Sequence, residues 1–304
     1  MEKILVIGAS GFIGKHVAQA LLAHHMPVRG LVRTPARAQD LATVGCEIVQ
    51  GDISDLATMQ HALDGVRAAY VCVHTISPQQ TRAAGQGFMD VELSGVQNLV
   101  AACRMHGVRR LMYLTSLGVS EHARDAWLQG RWRIEQFLLQ SGLDVTIIRP
   151  GQVVGRGGFG FNTVLSQAKR RITLILGNGQ QKWQNIALDD LLYYLLGVLD
   201  APRTYGQGYD VGSSDIATTN QMIDIIAEVL GRPHPLKIPI PQQLLAACAS
   251  LIERMGTYPV GSLKAFMDGL NTDLIGDPMP IRAILPRPPL PYRQAVEREL
   301  QQST

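Results

Sequence analysis

Met1-Glu-Lys-Ile-Leu-Val-Ile-Gly-Ala-Ser-Gly-Phe-Ile-Gly14 places Gly8, Gly11 and Gly14 directly behind an apolar run. Ile4 to Ile7 reads as a buried parallel strand. Lys15 to His24, with Val17, Ala18, Leu21 and Leu22 at helical spacing, reads as an amphipathic helix. Gly8 can take the positive backbone angle that turns the chain off the strand, Gly11 lets an anion approach main-chain N–H groups, and Gly14 lets helix and strand pack closely. Unsatisfied amides and the helix dipole favour negative charge at that point. A glycine turn alone would signify only a βα corner. Set between strand and helix, it signifies a pyrophosphate-binding entrance for a dinucleotide.

The second strand, Val28 to Arg33, ends about twenty residues after the glycines, where the adenosine ribose of such a ligand lies. An NAD site places Asp or Glu there to bond the 2′-hydroxyl, yet no acidic residue occurs between Glu2 and Asp40. Arg33, with Arg37, would instead meet a 2′-phosphate as charge-assisted donors. NADP(H) is therefore expected over NAD(H).

Further apolar runs at Glu47 to Gln50, Ala69 to Val73, Arg110 to Thr115 and Val145 to Ile148 alternate with helical stretches near Ala57 to Leu63, Gly87 to His106 and Gly130 to Gln140. Such alternation predicts a Rossmann-type α/β fold, a doubly wound parallel sheet with helices on both faces. Gly107 and Gly142 stand where helix C-caps want a left-handed residue. After Arg149-Pro150-Gly151 come a loop at Gly155 to Gly160, a helix from Phe161 to Arg170 and a strand at Ile172 to Leu176. Gln184 to Ala187 is expected to return to the sheet, followed by a helix from Asp189 to Leu199 with Asp189 as N-cap. A strand at Gly208 to Val211 and a helix from Thr219 to Leu230 complete that portion. From Pro233 onward, prolines and an apolar helix from Gln242 to Met255 predict a small C-terminal lobe over the nucleotide site. Residues 1–155, with 184–232 returning to them, thus form the nucleotide domain, and 156–183 with 233–304 the smaller substrate lobe.

The 304-residue chain can bury a large core. Its net charge of +3 and 6% aromatic content argue against nucleic acid as a partner. Cys46, Cys72, Cys103 and Cys248 are widely spaced and form no metal-binding pair. No metal site is expected. The first strand leaves no room for a signal peptide, and no apolar run is long enough to span a bilayer, so a cytoplasmic protein is expected. Helix Gln242 to Met255 leaves peripheral membrane contact open, although its polar face lacks the dense Lys/Arg of an interfacial anchor. The oligomeric state is not legible.

Gly8 to Gly14, Leu31-Val-Arg33, Gly51-Asp-Ile-Ser-Asp55, Gly107-Val-Arg-Arg-Leu-Met-Tyr-Leu-Thr-Ser116 and Thr146-Ile-Ile-Arg-Pro150 together resemble the atypical short-chain dehydrogenase/reductase superfamily. The nearest branch resembles the NmrA-like proteins and bacterial relatives of the NAD(P)-binding accessory subunit of respiratory complex I. Ala69 to Thr75, Ile186 to Leu191 and Ser262 to Gly269 resemble it less specifically. The resemblance implies that Ser10, Gly11, Phe12 and Ile13 hold the pyrophosphate, Arg33 the 2′-phosphate, and Asp52 and Ile53 the adenine. It implies that His74 and Thr75 border the central ribose, Thr115 and Ser116 the nicotinamide end, and Pro150, Gly151 and Val153 the carboxamide.

Superfamily members with ordinary carbonyl chemistry carry a Tyr, and a Lys four residues later, on the helix after the Ser-bearing strand. The tyrosine gives a proton as hydride leaves the nicotinamide, and the lysine lowers its pKa. Here no lysine occurs between Lys15 and Lys169, and no tyrosine between Tyr113 and Tyr193. Trp127 and Arg131 fall at the two positions. An indole does not titrate usefully, and a guanidinium cannot shuttle a proton at neutral pH. Arg131 could bind the nicotinamide ribose or an anionic substrate, and Trp127 could wall the pocket. The standard relay then requires Tyr193, Tyr205 or Tyr258 to fold into the site. Three readings remain. A reductase could draw its proton from His122 or from water held by Ser116. A quinone, dye or conjugated small-molecule acceptor could take its proton from solvent. A redox sensor or assembly protein could hold NADP(H) without turnover.

Overall fold

Residues 2–73, 88–123, 125–241 and 272–301 are described in a computed structural model of the chain. His74, Thr75, Tyr258, Cys248, the expected helix Gln242 to Met255 and the stretch Ser262 to Gly269 lie outside the described residues. In chain order the strands are β1 (Lys3–Ile7), β2 (Val28–Val32), β3 (Glu47–Gln50), β4 (Val66–Val71), β5 (Arg110–Leu114), β6 (Asp144–Pro150), β7 (Gln152–Val154), β8 (Ile172–Leu176), β9 (Lys182–Ala187), β10 (Gln207–Val211), β11 (Ile216–Thr218) and β12 (Leu236–Ile240). The helices are α1 (Phe12–Ala23), α2 (Gln39–Thr43), α3 (Leu56–Leu63), α4 (Phe88–His106), α5 (Ala126–Leu139), α6 (Phe159–Ala168), α7 (Leu188–Gly197) and α8 (Thr219–Val229), followed by Met279–Ile284 and Tyr292–Gln301.

Seven strands form a central sheet in the order β3-β2-β1-β4-β5-β6-β10, flanked by helices in the expected Rossmann arrangement. Its strands are near-continuous apolar runs because both faces are covered, as parallel sheets require. β2 and β5 are buried at every position. Ile7 pairs with Leu31 of β2 on one side and with Val71 of β4 on the other, so strand order reverses at β1. Ligands of such sheets bind outside the carboxyl ends of the strands at that reversal.

The chain divides into two compact units. The first comprises Met1–Thr115, Gly130–Ile148 and Leu192–Gly208, and the second Ser116–Gln129, Arg149–Leu191 and Tyr209–Thr304. In the first, Leu5, Ile7, Leu99, Leu111, Ile134 and Leu138 belong to one buried cluster. In the second, a three-stranded sheet β11-β9-β7 and a two-stranded ribbon of β8 and β12 accompany a core that includes Phe161, Ile175, Met222 and Ile226.

Gly107 and Gly142 follow helices with φ of 70° and 74°, as their C-cap positions require. Burial raises the Cys46 thiol to about 11 and those of Cys72 and Cys103 to about 12. The three are free thiols that behave as small hydrophobes.

Three expectations are corrected. Gln184 to Ala187 does not return to the large sheet. As part of β9 it pairs with β7 and β11, and β10 is the strand that joins β6. Gly151 permits this arrangement, because a Cβ there would stand 1.8 Å from the Gln184 carbonyl oxygen. Asp189 is not an N-cap. It lies in the first turn of α7 and pairs with Arg298 at 2.9 Å. α5 starts a turn before Gly130 because the buried Asp125 carboxylate accepts the Trp127 and Leu128 N–H groups at 2.7 and 3.1 Å.

Gly14→Ala would set its methyl 2.3 Å from the Gly8 carbonyl oxygen. The backbone must move, and urea unfolding should show a loss of about 2 kcal/mol.

Candidate functional site

β1 ends in a turn that only glycine satisfies. Gly8 has φ +84°, its N–H donates to Leu31 O at 3.1 Å, and a Cβ would press on the Cys72 carbonyl at 3.0 Å. The Gly11 N–H donates back to Gly8 O at 2.9 Å. Gly11 is the N-cap of α1 and offers no side-chain acceptor, and the first turn carries no acidic residue. The Lys15 N–H makes an i→i−4 bond, to Gly11 O at 2.9 Å. The amides of Phe12 and Ile13 precede it and lack such partners. Half-buried Ser10 completes the rim. Open amides, a positive helix end and a surface without Cβ atoms fit a diphosphate.

At the end of β2, Arg33 and Arg37 are exposed, and neither guanidinium has an acidic partner among the described residues. The nearest acid in sequence, Asp40, is taken by Lys15, whose ammonium holds the Asp40 carboxyl below its usual range. Two exposed cations thus follow β2 without an acidic partner among the described residues.

After β3, Asp52 Oδ1 accepts from the Ser54 N–H at 2.9 Å and its hydroxyl at 2.8 Å, a local turn that shapes this loop. Ile53 packs on Gly95 of α4, where a Cβ would approach its methyl to 2.8 Å. Following β5, Thr115 is nine-tenths buried and its Oγ1 has no hydrogen-bond partner among the described residues. A buried hydroxyl without a partner is costly, and a polar ligand group at the strand end would satisfy it. The glycine cradle and this hydroxyl both fit a nicotinamide dinucleotide.

Arg131 is turned inward, with 1% exposure. Its guanidinium donates to the carbonyls of Leu114 at 2.9 Å and Val73 at 3.2 Å and to the Tyr113 hydroxyl at 3.1 Å, and it pairs with Glu92 at 3.1 Å. Tyr113 donates to the same Glu92 oxygen at 2.8 Å. Glu135, also buried, adds to the field. Burial, reinforced by both glutamates, pushes the Tyr113 hydroxyl far above its ordinary value, so it stays neutral. This cluster ties the carboxyl ends of β4 and β5 together. Sequence reasoning missed it, because Glu92 and Glu135 carry no motif and meet only across the fold.

Within the second unit, Ser116 Oγ donates to Leu117 O at 3.1 Å, and the Leu117 N–H reaches Pro150 O at the same distance. The Gly151 N–H donates to Val211 O at 2.9 Å, and Val153 pairs with Ile186. His122 is exposed on the loop before α5. Trp127 is half-buried in the first turn of α5. Tyr205 lies under the Arg110 guanidinium, 4.3 Å from its ring centre. Arg110 opens β5 and is level with the start of β1, so Tyr205 sits at the sheet edge opposite the glycine turn. Tyr193 stacks edge to face on Tyr194. Among the described residues no group of acids, histidines or cysteines has the geometry of a metal site, and no helix is long and apolar enough to cross a membrane.

A sequence family described as NAD(P)H-binding matches residues 8–171, more than half of the chain, and the chain belongs to it. Within that family it falls in the NmrA-like, atypical short-chain dehydrogenase/reductase group. The NAD(P)H azoreductase of Xenophilus azovorans is 28% identical over 239 residues, 76% of this chain and 74% of that protein. The mitochondrial NADH dehydrogenase [ubiquinone] 1 alpha subcomplex subunit 9 of Arabidopsis thaliana is 22% identical over 289 residues, 89% and 70% of the two chains. An NADPH-dependent quinone oxidoreductase from Escherichia coli, solved in complex with NADPH, shares the fold with a TM-score of 0.73 at 20% identity, over 98% of this chain and 99% of that one. The chain is thus a member of an NAD(P)H-binding, reductase-like family.

Arg131→Met would leave two carboxylates buried without their cation. Urea unfolding should show a loss of about 3–5 kcal/mol. Adding Glu92→Gln should restore part of it.

Proposed function

We propose that the chain binds NADPH in preference to NADH and passes hydride to a small quinone-like, azo or conjugated carbonyl acceptor. The observation that carries this reading is the pair of guanidinium groups, Arg33 and Arg37, exposed and without an acidic partner among the described residues, in a stretch of sequence with no acid between Glu2 and Asp40, the first turn of α1 included. The amides of Phe12 and Ile13 bind the diphosphate, Arg33 and Arg37 hold the 2′-phosphate, and Asp52 and Ile53 frame the adenine. Thr115 borders the far ribose and nicotinamide. When bound, the reduced nicotinamide supplies the hydride. Positioning then does most of the catalytic work.

The choice of acceptor follows from what α5 lacks. Trp127 and Arg131 occupy the places of the tyrosine and lysine of the ordinary relay, and the Arg131 guanidinium is engaged with Glu92, Tyr113 and two backbone carbonyls. An acceptor whose reduced anion is stable enough to be protonated by water needs no such relay, whereas an isolated ketone does. His122, exposed, or water held by Ser116 is the remaining local proton source. The relatives include an azoreductase, which supports this acceptor class.

The same feature favours a second reading, an NADP(H)-responsive protein that binds without turnover. The similarity to a respiratory-complex subunit supports it.

Arg33→Asp should weaken NADPH binding by about tenfold or more while leaving NADH binding within a few-fold, as nucleotide fluorescence would show. Equal affinities of the unaltered protein for the two nucleotides would remove the phosphate argument. Loss of NADPH absorbance on mixing with quinones, azo dyes and enones should identify the acceptor class. Tight NADPH binding with no oxidation across that panel would select the sensor.

A further inference from the structure

The ribbon formed by β8 and β12 carries its apolar residues on the wrong side for a solvated sheet. In β8, Thr173 and Ile175 point into the core while Ile172, Leu174 and Leu176 are exposed. The parallel register sets Leu236 beside Ile172, Ile238 beside Leu174 and Ile240 beside Leu176, so all six aliphatic side chains share one face. Leu236 is 62% exposed and Ile172 57%. A face exposed to water should alternate the other way, with polar residues outward. A contiguous aliphatic strip of this kind marks a contact surface.

Charge beside the strip indicates what that contact is. Because the strands are parallel, their amino ends lie together, with the Leu236 N–H donating to Arg171 O at 2.8 Å and Arg232 reaching Lys169 O at 3.0 Å. Lys169, Arg170, Arg171 and Arg232 are all exposed there, and none forms an ion pair among the described residues. The nearby acids of α8 are already neutralised. Asp224 is held by Lys237, and Glu228 by Arg293 and His234. The ribbon therefore presents an apolar strip ending in a cluster of unopposed cations.

We infer that this face of the second unit docks on an anionic lipid bilayer. The aliphatic side chains enter the interface while Lys169, Arg170, Arg171 and Arg232 meet lipid phosphates. Two weak signals act together here, as stable peripheral anchoring requires. Such docking would place the protein where apolar quinones dissolve.

The test is flotation of the whole protein with vesicles of phosphatidylcholine, with and without phosphatidylglycerol. The unaltered protein should float only with the anionic vesicles and release in high salt. Lys169→Ala/Arg170→Ala/Arg171→Ala and Leu174→Asp/Ile238→Asp should each reduce binding by about tenfold or more. Both should keep the thermal unfolding temperature and NADPH affinity of the parent. Several outcomes would overturn the inference. They are absence of flotation, equal binding to neutral vesicles, unfolding of Leu174→Asp/Ile238→Asp (the strip is packed by the chain's own residues), or a concentration-dependent dimer that this variant abolishes (a second copy covers it).

Discussion

The approach of α1 to the end of β1, with no Cβ atom between them, is the contact on which the nucleotide half depends. Gly14 lies so near Gly8 that even a methyl group would stand 2.3 Å from its carbonyl oxygen. Bringing the helix this close aims its first amides back over the end of the strand. The same turn forces Gly8 into a positive φ and leaves Gly11 as a cap without a side chain. Packing and anion binding are one geometric fact here, because the chain cannot relax one without losing the other.

Beneath that surface lies a buried charge cluster of Glu92, Tyr113, Arg131 and Glu135. The Arg131 guanidinium is engaged with Glu92, Tyr113 and the carbonyls at the ends of β4 and β5. Its side chain holds those strand ends in place. A guanidinium suits that work, since it stays charged when buried and its fork of donors can serve several acceptors at once.

Much of this was legible along the chain. The glycines, the strand before them and the helix after them are local, and so are the helix-ending glycines at 107 and 142, whose backbone angles depend on a few neighbouring residues. The absence of acid between Glu2 and Asp40 is likewise a fact of sequence. Less legible were features that arise between distant segments. The Asp125 cap lengthens α5, and the passage of β9 past Gly151 sends Gln184 to Ala187 into a separate small sheet.

The sequence by itself determined the parallel sheet and the nucleotide entrance, because apolar periodicity and glycine each act over one turn or one strand. Tertiary structure alone decided that Asp40 is neutralised by Lys15 while Arg33 and Arg37 stay open, that Arg131 points inward, and that the apolar residues of β8 and β12 share an exposed face. Those outcomes depend on which side chains meet across space. Burial and pairing of charge are properties of an environment, and no single segment carries that environment within it.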